Sequence, residues 1–425
     1  MIFPMWSIAP FLLMLLSIAV VPLTVPQWWD KNKNKLLLSC GMSLPVLAIV
    51  IPNGAHLVTE SLVDYFSFIV LLGSLFVISG GVYIKGEFAG TPLNNTAFLA
   101  LGALLSNLIG TTGASMLLIR PYLRANRKRQ NRAHLAVFFI FIVSNIGGLL
   151  TPLGDPPLFL GFLRGVPFQW TLSLLPIWLM AVGVVLLVFN LYDQYIFVRE
   201  DVETPGALAE DVQSHRRLHI QGKRNFLFLA GVMAAAISSG YFDWPRGIQE
   251  LLMISMALMS WFTTPRNVHK ENHFHFHPIL EVAAVFIGIF ITMVPALEIL
   301  RVRSADLGIE KPWQYFWMSG ALSSFLDNAP TYLTFSSMAL GLAGSGTESL
   351  GALLHSDLGV SLLRAVSAGS VFMGANSYIG NGPNFMVKSI AEHHRIEMPS
   401  FGRYMLYSAA VLIPTFVLVN LVFFR

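Results

Sequence analysis

Two seven-residue runs in this chain are copies of one another, and each interrupts a long apolar stretch. Thr151 to Pro157 (TPLGDPP) matches Ser377 to Pro383 (SYIGNGP) in its hydroxyl, aliphatic, glycine, Asp/Asn and proline positions. Proline removes a backbone donor and glycine loosens a helix, so both runs should unwind a helix that otherwise lies inside a bilayer. Freed carbonyls, hydroxyls and a carboxylate at that depth make an ion site. A pair of Gly/Pro-broken apolar segments in corresponding halves of a chain is the sequence mark of a midplane binding site in secondary transporters.

The bilayer follows from composition. Of 425 residues, 55% are hydrophobic and only 12% charged, with a mean hydropathy of +0.64, whereas a soluble protein has about 25% charged residues. The single cysteine, Cys40, excludes an intramolecular disulfide framework and a Cys-based metal cluster. No basic residue precedes the first apolar run, while Lys31, Lys33 and Lys35 follow it. That pattern predicts an uncleaved first span with its N-terminus outside. The net charge of +4 is accounted for by basic inner loops, without nucleic acid.

Apolar windows long enough to cross about 30 Å of hydrocarbon predict spans near 6–25, 36–52, 64–84, 133–163, 170–191, 225–241, 247–263, 279–300, 361–388 and 404–424. Two further stretches, 94–119 and 313–340, contain polar clusters. These run from Ser106-Asn107 to Thr111-Thr112-Gly113, and from Ser323-Ser324 to Asp327-Asn328-Ala329-Pro330-Thr331. Such stretches predict re-entrant helical hairpins, because irregular backbone at membrane depth must line a protein-enclosed cavity. The expected fold is therefore an all-α polytopic membrane protein with about ten transmembrane helices and two re-entrant hairpins.

The hairpins repeat too: Gly102-Ala103-Leu104, Ser106 and Leu108 match Gly320-Ala321-Leu322, Ser324 and Leu326. This alignment sets Asp327-Asn328 against Ile109-Gly110. Each hairpin precedes its broken helix, so the order of three spans, hairpin, broken helix and span occurs twice. The predicted units are 1–191 and 225–425, joined by a charged, solvated cytoplasmic linker at 192–224. Five crossings in the first unit turn the second upside down, an inverted repeat. Arg120, Arg124, Arg127, Lys128, Arg129 and Arg132 crowd the loop after the first hairpin, whereas 341–363 has no Lys or Arg. The first loop is thus expected inside and the second outside. Both chain termini are expected outside.

Asp155 and Asp327 are the two acids in the breaks. A charged acid at the centre of a membrane helix costs about 2.5–3.5 kcal/mol on insertion scales, so each needs a partner or a role. Capping of a half-helix N-terminus is the plain structural role, and it suits Asp155 beside Pro156-Pro157. Ion binding is the functional one. Sodium takes oxygen ligands, available from Asn107, Thr111, Thr112, Ser144, Asn145, Thr151, Gly154, Asn328, Thr331, Asn376, Ser377, Gly380, Asn381 and Asn384, with Asp155 and Asp327 supplying charge. Desolvation disfavours the ionised form of a carboxyl, which lets proton and cation compete for the same oxygens. Each half keeps one acid where the other copy has lost it, which predicts one composite site between the repeats.

Glu281 and Glu298 read as interfacial anchors, and Lys388 as a side chain reaching to the interface. His269, His273, His275 and His277 read as a polar approach to the next span, with metal binding or pH sensing as the alternative. No Walker A, Rossmann glycine pattern or HExxH is present, so the chain is not expected to be an enzyme.

The run Ser144-Asn145-Ile146-Gly147-Gly148 through Thr151-Pro152-Leu153-Gly154-Asp155, followed by Asp327-Asn328-Ala329-Pro330, resembles the ion transporter superfamily, and within it the NhaD-like sodium/proton antiporter branch. Pro156-Pro157 and the short length depart from that branch. The resemblance implies a homodimer in the bacterial inner membrane, with a scaffold part and a transport part carrying the hairpins and broken helices. It also implies sodium(lithium)/proton exchange and no cofactor beyond the transported ions. Related branches carry citrate, dicarboxylates and arsenite, so symport of a small organic anion is the alternative.

Overall fold

The computed structural model describes residues 3–425 apart from 87, 204–218, 243, 246, 273 and 344–348. Among the described residues ten helices are long and apolar enough to cross a membrane, and the all-α polytopic architecture is the one found. The count of ten has a different membership from the expected one. Pro92–Ala125 is counted among them although it is the first hairpin, and Ile248–Thr263 falls short at 16 residues, about 24 Å of helix.

Pro92–Ala125 folds back on itself at Gly110, whose φ of +76° lies where a side chain is strained and glycine is not. The two arms touch along their length. A Cβ on Gly102 would lie 3.3 Å from the Leu118 side chain, and Asn95 and Asn126 exchange amide hydrogen bonds of 2.9 and 2.8 Å at the base. In a straight helix those two residues would stand about 46 Å apart. The second hairpin has arms Pro312–Ser323 and Asn328–Leu342, with the Tyr315 and Phe335 rings 6.3 Å apart across it.

Each broken segment is a helix, a 3-10 turn, an extended stretch and a second helix. The first runs through Ala133–Ile142, Ile146–Leu150 and Pro156–Leu163. The second runs through Asp357–Met373, Gly374–Asn376 and Gly382–His393. Proline in the first turn of both second helices suits its missing N–H and fixed φ.

Beside these elements, Asn32–Pro52 and Gly54–Gly80 reverse direction at Gly54 and pack antiparallel along His277–Val302. Ser39 Oγ donates to the Ala284 carbonyl at 2.7 Å and Tyr65 Oη to the neighbouring Ala283 carbonyl at 2.9 Å, which puts both arms at one level. Phe68 stacks on Phe286 at 5.0 Å in the same seam.

The linker departs from expectation at its start. Helix Leu175–Glu203 runs straight through Tyr192, and Asp193 and Glu200, expected in a solvated stretch, are buried. Arg129 from the first post-hairpin loop pairs with both, His134 Nε2 meets Asp193 at 2.9 Å, and Asn95 donates to Asp193 at 2.9 Å. A buried acid is tolerated when it is paired and hydrogen-bonded, and here both partners come from elements distant in sequence. Glu210, Asp211, Arg216 and Arg217 lie outside the described residues. At the linker's end, His219–Gln221 pairs antiparallel with Tyr83–Lys85, a two-stranded exception to the helical fold.

Candidate ion site

Asp155 stands in extended conformation (φ −141°, ψ 144°) just before Pro156–Leu163, yet its carboxylate does not cap that helix. It turns into the protein instead, 2% exposed. Its oxygens accept from Thr111 Oγ1 at 2.8 Å, Asn328 Nδ2 at 2.8 Å and Asn381 Nδ2 at 3.4 Å. Thr111 follows the tip of the first hairpin, Asn328 opens the second arm of the second, and Asn381 occupies Asp155's own place in the second broken segment. All four interrupted elements therefore meet at one carboxylate. Hydrogen bonds to a charged group contribute about 1.5–3 kcal/mol each, enough to offset much of the cost of burying it.

The surrounding amides tie the two broken segments together. Asn381 Nδ2 also reaches the Ser144 carbonyl and Asn145 Oδ1, both at 3.2 Å. Asn145 Nδ2 donates to Asn384 Oδ1 at 2.7 Å, and Asn384 Nδ2 to the Gly374 and Ser377 carbonyls at 2.9 Å. The Ser144 and Ser115 hydroxyls lie 2.8 Å apart. Ser115 carries no mark in the sequence beyond its position on the hairpin.

The repeat is exact enough to share hydrogen bonds. Thr151 Oγ1 donates to the Asn107 carbonyl and Ser377 Oγ to the Ser324 carbonyl, both at 2.5 Å. A Cβ on Gly154 would lie 2.2 Å from the Gly148 carbonyl oxygen, and one on Gly380 would lie 2.5 Å from that of Gly374. Both loops close only over glycine. At the hairpin tips the correspondence corrects the sequence alignment by one residue. Gly110-Thr111, not Ile109-Gly110, stands where the second hairpin has Asp327-Asn328, because each pair opens the second arm of its hairpin and Thr111 and Asn328 meet the same carboxylate.

Other expected ligands serve nearby. Asn107 Oδ1 accepts from the Leu150 N–H at 2.7 Å and holds the first 3-10 turn against the hairpin. Asn376 Nδ2 donates to Ser324 Oγ at 2.9 Å, and Thr331 Oγ1 to the Asp327 carbonyl at 3.1 Å. The first ties the second broken segment to its hairpin and the second lies within one helical turn; neither is made to Asp155. Asp327 is half-buried, and its carboxylate caps its half-helix by accepting the Ala329 N–H at 3.1 Å. The capping role that suited Asp155 by sequence thus falls to Asp327.

Thr111, Thr112, Gly154, Asp155 and Pro156 line a cavity of about 70 Å³ together with Phe68, Leu71, Leu75 and Ile279. That is room for a few waters, at about 10–15 Å³ each on this measure. Asp155 is the only charged side chain among the described residues lining it. Four helices open beside the Asp155 carboxylate, at Thr111, Pro156, Asn328 and Gly382, and a helix N-terminus carries about half a positive charge.

The weaker candidates lie elsewhere. Lys388 pairs with Glu392 at 2.8 Å and not with a site acid. Glu281 pairs with the buried Lys35 at 2.7 Å, and Glu298 with Arg301 at 2.9 Å. His269 packs against Trp261 and Phe274, with ring centroids 4.9 and 5.3 Å away, and this burial lowers its pKa below that of a free imidazole. His277 Nε2 lies 3.3 Å from the Asp30 carbonyl, and His273 lies outside the described residues. Among the described residues no group of three or more His, Cys, Asp or Glu side chains is placed to hold a metal.

A polytopic helical membrane protein whose hairpin tips and broken helices close around one buried acid has the build of a secondary transporter. The comparison with known families gives the same class. Over residues 2–424 the chain matches the family described as "Putative citrate transport", and it belongs to that family. Among curated proteins none matches the chain.

Proposed function

We propose that this transporter exchanges sodium or lithium for protons, with cation and proton alternating on Asp155. The observation that carries this reading is the buried carboxylate ringed by Thr111, Asn328 and Asn381 at the wall of a small cavity that no lysine or arginine lines among the described residues. Hydroxyl and amide groups that donate to a bare carboxylate can rotate to offer oxygen to a cation, and one acid serves both cargoes. The Ser144 to Asp155 motif supports the NhaD-like branch as the finer placement. An inverted arrangement of the two units is supported by the basic loop after the first hairpin and its absence after the second.

Cation-coupled symport of citrate or a dicarboxylate is the second reading, favoured by the family description and by four half-helix N-termini that would attract carboxylates. Fluorescence dequenching of a pH gradient in everted vesicles separates the two. Exchange predicts dequenching by sodium and lithium alone. Dequenching that requires citrate, with none from sodium alone, overturns it.

A further inference from the structure

A second opening lies further along the same helices. It is a cleft of about 820 Å³, and the charged side chains among the described residues lining it are Glu60, Asp64, Glu250, Glu298, Arg164 and Arg301, four acids against two arginines. Arg164 pairs with Asp64 at 3.1 Å and Arg301 with Glu298 at 2.9 Å. Glu250 has no such partner among the described residues. It is about nine-tenths buried, and its carboxylate accepts Ser67 Oγ at 2.5 Å. Its neighbour Gln249 also lines the cleft, is 6% exposed, and has an amide nitrogen with no hydrogen-bond partner. A buried amide left unsatisfied costs about 1–3 kcal/mol, and turning the amide over would present its oxygen instead.

The cleft and the Asp155 cavity follow one another on three helices. On Gly54–Gly80 the cleft takes residues 57–67 and the cavity begins at Phe68. On Pro156–Leu163 the cavity takes Phe159 and the cleft Leu163, and on His277–Val302 the cavity ends at Val282 and the cleft resumes at Val294. Phe68, stacked on Phe286, stands at the boundary, one residue from Ser67.

We propose that the cleft is an outer binding site for a monovalent cation on the path to Asp155, with the Glu250 carboxylate, the Ser67 hydroxyl and the Gln249 amide oxygen as its ligands. Its place on a transport path rests on the exchange reading above; its capacity to bind a cation does not. An acid of this kind attracts cations into a negatively charged cleft and raises their local concentration.

The test uses the purified full-length protein and radioactive sodium. In Asp155→Asn, with the inner site neutralised, a weak sodium site should remain, and adding either Glu250→Gln or Ser67→Ala should weaken it about fivefold or more. Glu250→Gln keeps an acceptor for Ser67, so the fold should hold. No sodium binding in Asp155→Asn, or binding unchanged by both added substitutions, overturns the cleft as a cation site. In reconstituted vesicles, Glu250→Gln alone should raise the half-saturating sodium concentration when sodium is supplied on the cleft face, and an equal rise from either face overturns the path. If the unmodified protein moves no protons with sodium, the exchange reading fails, and the binding measurement still decides the cleft.

Discussion

The stretch Thr151 to Asp155 and the stretch Ser377 to Asn381 share a backbone and differ in chemistry. Thr151 and Ser377 have φ of −140° and −139°, and Asp155 and Asn381 have φ of −141° and −151°. Both stretches hang by a hydroxyl from a hairpin carbonyl. Yet one ends in an acid and the other in an amide that donates to that acid. At the hairpin tips the asymmetry reverses: the second has Asp327, which caps a helix, where the first has Gly110. Duplicated architecture supplies the scaffold for a site, and divergence at one position in each pair makes the site single.

The largest expected effect breaks the pair at its acid. Asp155→Asn should abolish sodium-dependent proton movement in everted vesicles, since an amide ligates but carries no proton. Asp327→Asn should slow it only about tenfold, because asparagine still caps the half-helix. Equal losses from the two would mean that the acids act as a unit.

A smaller effect measures the shared backbone. Thr151→Ala should lower stability by about 1 kcal/mol through loss of one hydrogen bond, read as a fall in melting temperature in detergent. Ser377→Ala should lower it by more, because the Ser377 hydroxyl also accepts the Ile379 and Gly380 N–H groups at 3.2 and 3.1 Å. A larger fall for Thr151→Ala than for Ser377→Ala would show that the two hairpins are not held alike.

The smallest concerns a place where the halves part. The second and third helices of the first half are joined at Gly54, whereas Ile248–Thr263 and His277–Val302 are joined through the turn that carries His269. Burial against Trp261 and Phe274 lowers the pKa of His269. The unfolded chain therefore takes up a proton that the folded one resists, so stability should decline as pH falls below about 6.5. His269→Phe should flatten that decline in melting temperature between neutral pH and about pH 5. An unchanged slope would assign it to other groups.

The sequence by itself determined where the helices break and that the breaks come in pairs. Proline and glycine act on the backbone locally, so TPLGDPP and SYIGNGP state their conformation wherever the chain places them. The hairpins were legible for the same reason, from glycine and polar residues inside apolar stretches, as was Asp155 as a buried acid. Tertiary structure alone decided which side chain meets which. The tip register shifted by one residue, of the two acids only Asp327 caps its half-helix, and Asp193 and Glu200 left an expected linker for a buried ion-pair cluster with Arg129. Glu250 drew no notice because its surroundings in sequence are those of an ordinary interfacial acid. Each of these depends on contacts between residues tens to hundreds of positions apart, and helical periodicity says which face a residue occupies, not which distant segment arrives to cover it.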